Sequence, residues 1–353
     1  MSRSKRKLEH ISHALQTGQT RSSGFDDIMF LHQSLPNIDV EDVSLTTSIG
    51  ELVLSSPLFI NAMTGGGGKG TEMINSQLAE IANHFGLPMA VGSQMSAIRN
   101  PLEAASFKIV RKKHPNGILF ANIGSEATVD QAKKCVDMIE ADALQIHLNV
   151  IQELVMPEGD RNFHGALDRI ELISKELSVP VIVKEVGYGM NKETVVKLYN
   201  AGVSIVDIGG FGGTNFSKIE DKRREKSLSI FHEWGIPTVV SIAEAKHSPF
   251  PVTVIGSGGI QTSLDIAKSI ALGANAAGMA GNILRIAKED GVEGAVTYIE
   301  DVLEELKMIM TAVGAKKIND LQKAPLLIFN RTKEWLEMRE ISLSMYSNRQ
   351  IPD

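Results

Sequence analysis

Pro237-Thr-Val-Val-Ser-Ile-Ala-Glu-Ala-Lys246 decides the fold, because it reads two ways. It starts like a strand, but proline at its first position and the Ala-Glu-Ala-Lys end suit a helix. Around it lie short apolar runs that read as strands, at residues 58–62, 88–92, 118–123, 143–149, 180–185, 203–208, 252–255 and 276–279. Helical stretches alternate with them, at 72–85, 101–112, 129–140, 167–177, 192–201 and 264–272. Gly86, Gly202 and Gly273 supply stop signals for three of these helices. Alternation of this kind means βαβ units and a parallel sheet. Read as a strand, residues 237–246 would make nine; read as helix six, they leave eight strands in roughly 220 residues. The helix reading is adopted. It predicts an α/β protein, a TIM (β/α)8 barrel with an N-terminal extension and C-terminal helices.

The barrel is placed at residues 58–282. Residues 1–57 form an extension, with Leu8, Ile11 and Leu15 at helical spacing and a hairpin over 42–54 turning near Ile49-Gly50. Residues 283–353 read as a helical segment closing the barrel, with 294–313 its strongest helix. The longest connection, 209–237, carries Glu220-Asp-Lys-Arg-Arg-Glu-Lys226 and reads as a solvated or mobile lid.

Composition narrows the function. A hydrophobic content of 43% and a charged content of 22% describe a soluble globular chain with room for a large core. The net charge of −6 argues against nucleic acid as the main partner. No apolar run approaches the roughly 18 residues of a membrane span. The basic start Ser2-Arg-Ser-Lys-Arg-Lys7 lacks the apolar stretch of a signal peptide. The single cysteine, Cys135, excludes an intramolecular disulfide or a cysteine metal cluster and fits a reducing, cytoplasmic compartment.

Barrel active sites sit at the C-terminal ends of the strands. There the sequence places Met63-Thr-Gly-Gly-Gly-Gly68, Ser93-Gln94, Asn122, His147-Leu-Asn-Val-Ile-Gln-Glu153, Lys184, Gly209-Gly-Phe-Gly-Gly-Thr214, Gly256-Ser-Gly-Gly-Ile260 and Ala280-Gly-Asn282. In the fourth of these, a strand running to Asn149 would put His147 and Asn149 on one face, with Gln152 and Glu153 in the loop beyond. The alternative is an ordinary solvated loop. Gly256-Ser-Gly-Gly before a helix capped by Thr262 or Ser263 suits an anion, as does Ala280-Gly281 beside it. Turn-forming glycine is the other reading. Lys184 in a buried strand needs an anion, either a neighbouring carboxylate or a ligand that gains negative charge. A phosphate site plus that lysine suggests a flavin nucleotide.

With these motifs in view the chain resembles the type 2, FMN-dependent isopentenyl-diphosphate isomerases. The resemblance rests on Arg6-Lys-Leu-Glu-His10, Ala62-Met-Thr-Gly-Gly66, Gly92-Ser-Gln94, His147 to Glu153, Lys184, Gly212-Gly-Thr214, Gly256-Ser-Gly-Gly259 and Ala280-Gly281. The first and fourth of these are specific to the family; the others are shared with FMN-binding barrels more widely. It implies that Ala62, Met63, Thr64, Ser93, Asn122, Lys184, Thr214, Gly258, Gly259, Ala280 and Gly281 hold FMN. It implies that Arg6, Lys7, His10, His147, Asn149 and Gln152 bind the prenyl diphosphate, and that Glu153 binds Mg2+ bridging to the diphosphate. NADPH or NADH would reduce the flavin, and the chain would form a tetramer or octamer. The family often carries tryptophan where this chain has Phe216.

The implied reaction interconverts isopentenyl and dimethylallyl diphosphate. It adds one proton to carbon and removes another, and the reduced flavin's N5 edge is expected to handle at least one, with Gln152 or a water relaying the other. One rival is an FMN-dependent 2-hydroxyacid oxidase, which needs a histidine base and arginines; His247 offers the histidine, but no Gly-Arg follows. An IMP dehydrogenase-like barrel needs a loop cysteine, and Cys135 lies in a helical pattern. A non-catalytic flavin sensor would have no use for Arg6-Lys7 and Glu153 together. The main geometric expectation is that Asn122, Gln152, Lys184 and Gly258 meet at one rim.

Overall fold

The computed structural model describes residues 23–64 and 68–351. Residues 237–246 take the helical reading, with Pro237 as N-cap and Thr238–Lys246 as the helix. The ambiguity has a physical source. Every residue from Thr238 to Ala245 is buried, so no polar stripe marks a helical period.

Among the described residues, eight parallel strands close into one barrel. In chain order they are Leu58–Ile60, Met89–Ala90, Leu119–Gly124, Ala143–Leu148, Val181–Glu185, Ile205–Asp207, Thr253–Ser257 and Ala276–Met279. They are numbered one to eight below. Alternate residues of each strand point inward. The lower interior layer is apolar, with Phe59, Phe120, Ile182, Ile205 and Ile255 packed among small alanines. The expected hairpin, Thr47–Ile49 paired with Leu52–Leu54, seats Ile49 and Leu54 in this same cluster and closes that end of the barrel. Two residues further along the chain the interior turns polar: Asn61, Asn122, Gln145, Lys184, Asp207 and Ser257 are all buried.

The extension and the C-terminal segment meet. Strand Ile28–Phe30 pairs antiparallel with Leu326–Ile328, and Asp27 accepts from the Thr332 hydroxyl at 2.7 Å. The long helix Gly291–Val313 turns its apolar face, including Ile299, Leu306 and Met310, into the core.

Two expectations need correcting. Strand four stops at Leu148, and Gln152 and Glu153 sit on a short helix, Val150–Val155, rather than in a loop. The 209–237 connection is not an open lid. It carries helix Phe216–Asp221 and a 3-10 turn, Ser229–Phe231. Glu220, expected in solvent, is fully buried. The reason is that Arg223 bridges Glu220 to Glu158, while Arg224 donates to the Val155 carbonyl at 2.8 Å. Glu220, Arg223 and Arg224 are thus satisfied within the protein, while Lys222, Glu225 and Lys226 of the same run stay exposed, as expected of a solvated stretch.

Candidate active site

The strand ends surround one cavity of about 410 Å³, within the range of small-ligand pockets. Asn122, Gln152, Lys184 and Gly258 all line it, so the four landmarks share one rim. Ala62, Met63, Ser93, Thr214, Gly259, Ala280 and Gly281 line it too, as do His147, Asn149 and Glu153. Thr64 does not. Its hydroxyl is buried and bonded to Asn75 on helix Gly68–Phe85, which turns it away from the cavity. Arg6, Lys7, His10, Gly65 and Gly66 lie outside the described residues.

Strands three to five present side chains. His147 and Lys184 are cross-strand partners, and so are Lys184 and Asp207, so the three stand in one row. The His147 Nδ1 contacts Asn122 Oδ1 at 2.9 Å. Lys184 Nζ lies 3.6 Å from Asp207 Oδ2 and donates to the Glu185 carbonyl at 2.7 Å. Of the two anions open to this lysine, the neighbouring carboxylate is therefore present, and the ammonium still lines the cavity. Glu153 accepts from Asn149 Nδ2 and from the Asp160 N–H, each at 2.8 Å. Burial pushes its carboxyl above the usual carboxylate range, and nearby Asp160 and Glu126 push the same way. Gln152 donates from Nε2 to Glu220 Oε1 at 3.1 Å.

Strands six to eight present backbone. The loop after strand six stacks on the loop after strand seven: the Gly210 N–H donates to the Ser257 carbonyl at 2.7 Å. A Cβ on Gly213 would stand 2.7 Å from the Gly259 nitrogen, and one on Gly258 only 2.1 Å from the Gly210 carbonyl oxygen. Gly258 and Gly259 also take positive φ, +96° and +73°, which side chains resist. Beside them Gly281 begins helix Gly281–Glu289. The helix after strand seven is capped by Thr262, one of the two expected caps, in a box with Asp265.

This donor set fits a flavin nucleotide. Glycine backbone and a helix start suit the phosphate, and a lysine ammonium with the Asn122 amide suits a ring that gains charge. For a metal the fit is narrower. Among the described residues no group of three or more His, Cys, Asp or Glu could hold a cation unaided. One carboxylate, Glu153, would have to share the ion with ligand oxygens.

Sequence reasoning missed Asn61, Gln145, Asp207 and Glu220. The first three leave a signal: each follows an inward apolar residue by two, as in Phe59/Asn61, Ala143/Gln145 and Ile205/Asp207. Glu220 leaves none, because it sits inside a charge run. Arg99 and Arg169 also line the cavity. His247 does not; it ends helix Thr238–Lys246 and bonds its own Ala243 carbonyl at 2.8 Å. Cys135 is buried in helix Val129–Ile139 with its thiol pushed up to about 12 by burial, so it is no nucleophile.

Residues 125–327 match the family model described as FMN-dependent dehydrogenase. The chain is 59% identical over 349 residues to an isopentenyl-diphosphate delta-isomerase of Geobacillus sp. (strain WCH70), covering 99% of this chain and 100% of that protein. It is 57% identical over 349 residues to one of Bacillus licheniformis, with the same coverage of 99% and 100%. Among solved structures it resembles a mutant flavocytochrome b2 with pyruvate bound, at TM-score 0.66 and 17% identity, covering 98% of this chain and 85% of that one. It also resembles a mandelate oxidase variant, at TM-score 0.67 and 15% identity, covering 90% and 95%. These two likenesses show the fold alone.

Proposed function

The chain belongs to the isopentenyl-diphosphate delta-isomerase family, and from that premise we propose how its cavity serves the reaction. It is an enzyme and a flavoprotein, interconverting isopentenyl diphosphate and dimethylallyl diphosphate by moving one carbon–carbon double bond. The observation that carries the residue roles is the shared rim of Asn122, Gln152, Lys184 and Gly258.

Gly258, Gly259, Ala280 and Gly281 hold the FMN phosphate through backbone N–H groups, and Ala62, Met63, Ser93, Asn122, Lys184 and Thr214 hold the rest of the cofactor. When bound and kept reduced by NADPH, FMN would supply the proton-exchange chemistry that the double-bond shift requires. Lys184 offers its ammonium to the charged ring. His147 and Asn149 line the diphosphate side, together with Arg6, Lys7 and His10 of the N-terminal extension. Glu153 would hold Mg2+, whose charge would offset the repulsion between this carboxylate and the diphosphate. Gln152 contacts the substrate and relays the second proton. One N–H of its amide goes to Glu220, which leaves the second N–H and the carbonyl oxygen for the substrate or a water. The chain works as a tetramer or octamer in the cytoplasm; among the described residues no helix is long and apolar enough to cross a membrane.

The test is turnover of isopentenyl diphosphate under anaerobic, reducing conditions, with and without Mg2+. Turnover that needs both reduced FMN and Mg2+ is expected. Equal rates after chelation would remove the metal role from Glu153, and equal rates with oxidised FMN would remove the flavin from the proton chemistry.

A further inference from the structure

Above the apolar layer of the barrel, buried side chains form a hydrogen-bonded chain with one direction. Asn122 donates to Gln145 at 3.0 Å, Gln145 to Asn61 at 3.3 Å, and Asn61 to Asp207 Oδ2 at 2.8 Å. Ser257 donates to the other oxygen, Oδ1, and the Gly209 N–H approaches it at 3.4 Å. Asp207 is completely buried, and both its oxygens have donors without counting Lys184. The sequence keeps room for this chain: a Cβ at Gly278 would stand 2.6 Å from the Asn61 Nδ2.

Lys184 relates to Asp207 differently. At 3.6 Å the two form an ion pair, but that distance is too long for a good hydrogen bond. One ammonium N–H goes to the Glu185 carbonyl, and an ammonium has three. Asp207 therefore offsets the charge of Lys184 without using up its donors. The lysine keeps N–H groups for a ligand in the cavity while its field is partly cancelled from behind.

We propose that Asp207 is a positioning residue that sets how strongly Lys184 favours reduced, anionic FMN over oxidised FMN. The proposal rests on the reading of Lys184 as the partner of the flavin ring. With Asp207 neutral, the same ammonium would act uncompensated on a charge a few ångströms away. In a partly polar interior that is worth on the order of tenfold or more in relative affinity. A tenfold change corresponds to about 30 mV for a two-electron couple.

The experiment is an anaerobic redox titration of the FMN-loaded protein, which gives the ratio of reduced to oxidised FMN affinity. Four proteins are compared: unaltered, Asp207→Asn, Lys184→Met and the double variant, each checked for folding by near-ultraviolet circular dichroism. Asp207→Asn should raise the ratio about tenfold, and Lys184→Met should lower it. In the Lys184→Met background only the direct repulsion between the Asp207 carboxylate and the ring is left, so Asp207→Asn should raise the ratio by a clearly smaller factor. A shift of the same size with and without Lys184 would overturn the proposal, as would no shift in Asp207→Asn alone. If Lys184→Met leaves the ratio unchanged, the ring assignment itself fails and takes this proposal with it. Should Asp207→Asn not fold, Asp207→Ser replaces it in the comparison; failure of both would make Asp207 a residue of the fold alone.

Discussion

The rim of the cavity has two halves, built by different means. After strands six to eight it is backbone: Gly209, Gly210, Gly212, Gly213, Gly258 and Gly259 are packed so closely that added Cβ atoms would strike neighbouring main chain. After strands three to five it is side chains, with Asn122, His147, Gln152, Glu153 and Lys184 held by hydrogen bonds and ion pairs. Backbone positions are fixed by sterics, and side-chain positions by donors and acceptors that must be satisfied once buried. The two halves should therefore fail differently. Damage to the first should release the cofactor and loosen the fold. Damage to the second at Gln152 or Glu153, which the proposal keeps off the cofactor, should leave a yellow, folded protein that turns over slowly.

The largest effect belongs to the backbone half. In Gly258→Ala the new Cβ meets the Gly210 carbonyl oxygen at 2.1 Å, at a φ of +96°. Neither the oxygen nor the φ can relax without parting the two stacked loops. Strain of this kind and local overpacking together amount to about 4 kcal/mol. Thermal unfolding and FMN retention should both suffer. A variant that keeps full yellow colour and an unchanged Tm would break the contrast at its stronger end.

The mirror experiment is Glu153→Gln. Asn149 donates to one carboxylate oxygen and the Asp160 N–H to the other, so the glutamine keeps one of these two bonds, and the helix Val150–Val155 should stay in place. What is lost is one negative charge at the proposed metal position. Turnover should fall on the order of 100-fold, about 3 kcal/mol, with FMN content unchanged and a loss of stability no larger than the one lost hydrogen bond, about 1 kcal/mol. A colourless Glu153→Gln protein would mean the two halves are not separable.

This contrast also explains what could be read in advance. The strand count, the helix stops and the glycine loops were legible because glycine and proline act locally, as Gly86, Gly202 and Gly273 show. The carboxylate and amide of Glu153 and Gln152 were visible through a resemblance that ran along the chain. The fixing of the side-chain half was not. Asp207 touches Asn61, Ser257 and Lys184, residues 23 to 146 positions away, and only barrel closure brings them together. Glu220 was misread for a related reason: a charge run looks solvated until Arg223 and Gln152 are seen around it. Strand Ile28–Phe30 escaped notice because its partner, Leu326–Ile328, lies at the other end of the chain.

A smaller effect tests the seam between the halves. The Glu185 carboxylate accepts the N–H groups of Val186, Gly187 and Tyr188 at 2.6, 3.1 and 2.9 Å. Val186 and Gly187 line the cavity, and a Cβ on Gly187 would stand 2.7 Å from the Thr214 carbonyl oxygen in the glycine half. Burial pushes this carboxyl up from 4.5 to about 7. The folded chain therefore holds a proton that the unfolded chain has released across that interval. The stability due to the protonated group is full below about 4.5 and is lost as pH rises through about 7. Between pH 5 and 7 the decline is worth about 2 kcal/mol. Glu185→Gln should remove it, which urea unfolding at the two pH values would measure. Parallel declines in both proteins would place the titrating group elsewhere.

The smallest effect is expected where the halves face the hydrocarbon. Phe216 begins helix Phe216–Asp221 and lines the same cavity as Thr214 of the glycine half and Gln152 of the other. It makes no polar contact that either half depends on. Its ring contributes apolar wall, and aromatic walls tolerate exchange when the added volume can be taken up by open space. Phe216→Trp should therefore alter KM for isopentenyl diphosphate by less than about tenfold and leave kcat within about threefold, a change below about 1.4 kcal/mol. Steady-state rates under reducing conditions separate the two parameters. A large fall in kcat at unchanged KM would show that the wall itself orders the reacting carbon, and the division of labour between backbone and side chains would then need a third member.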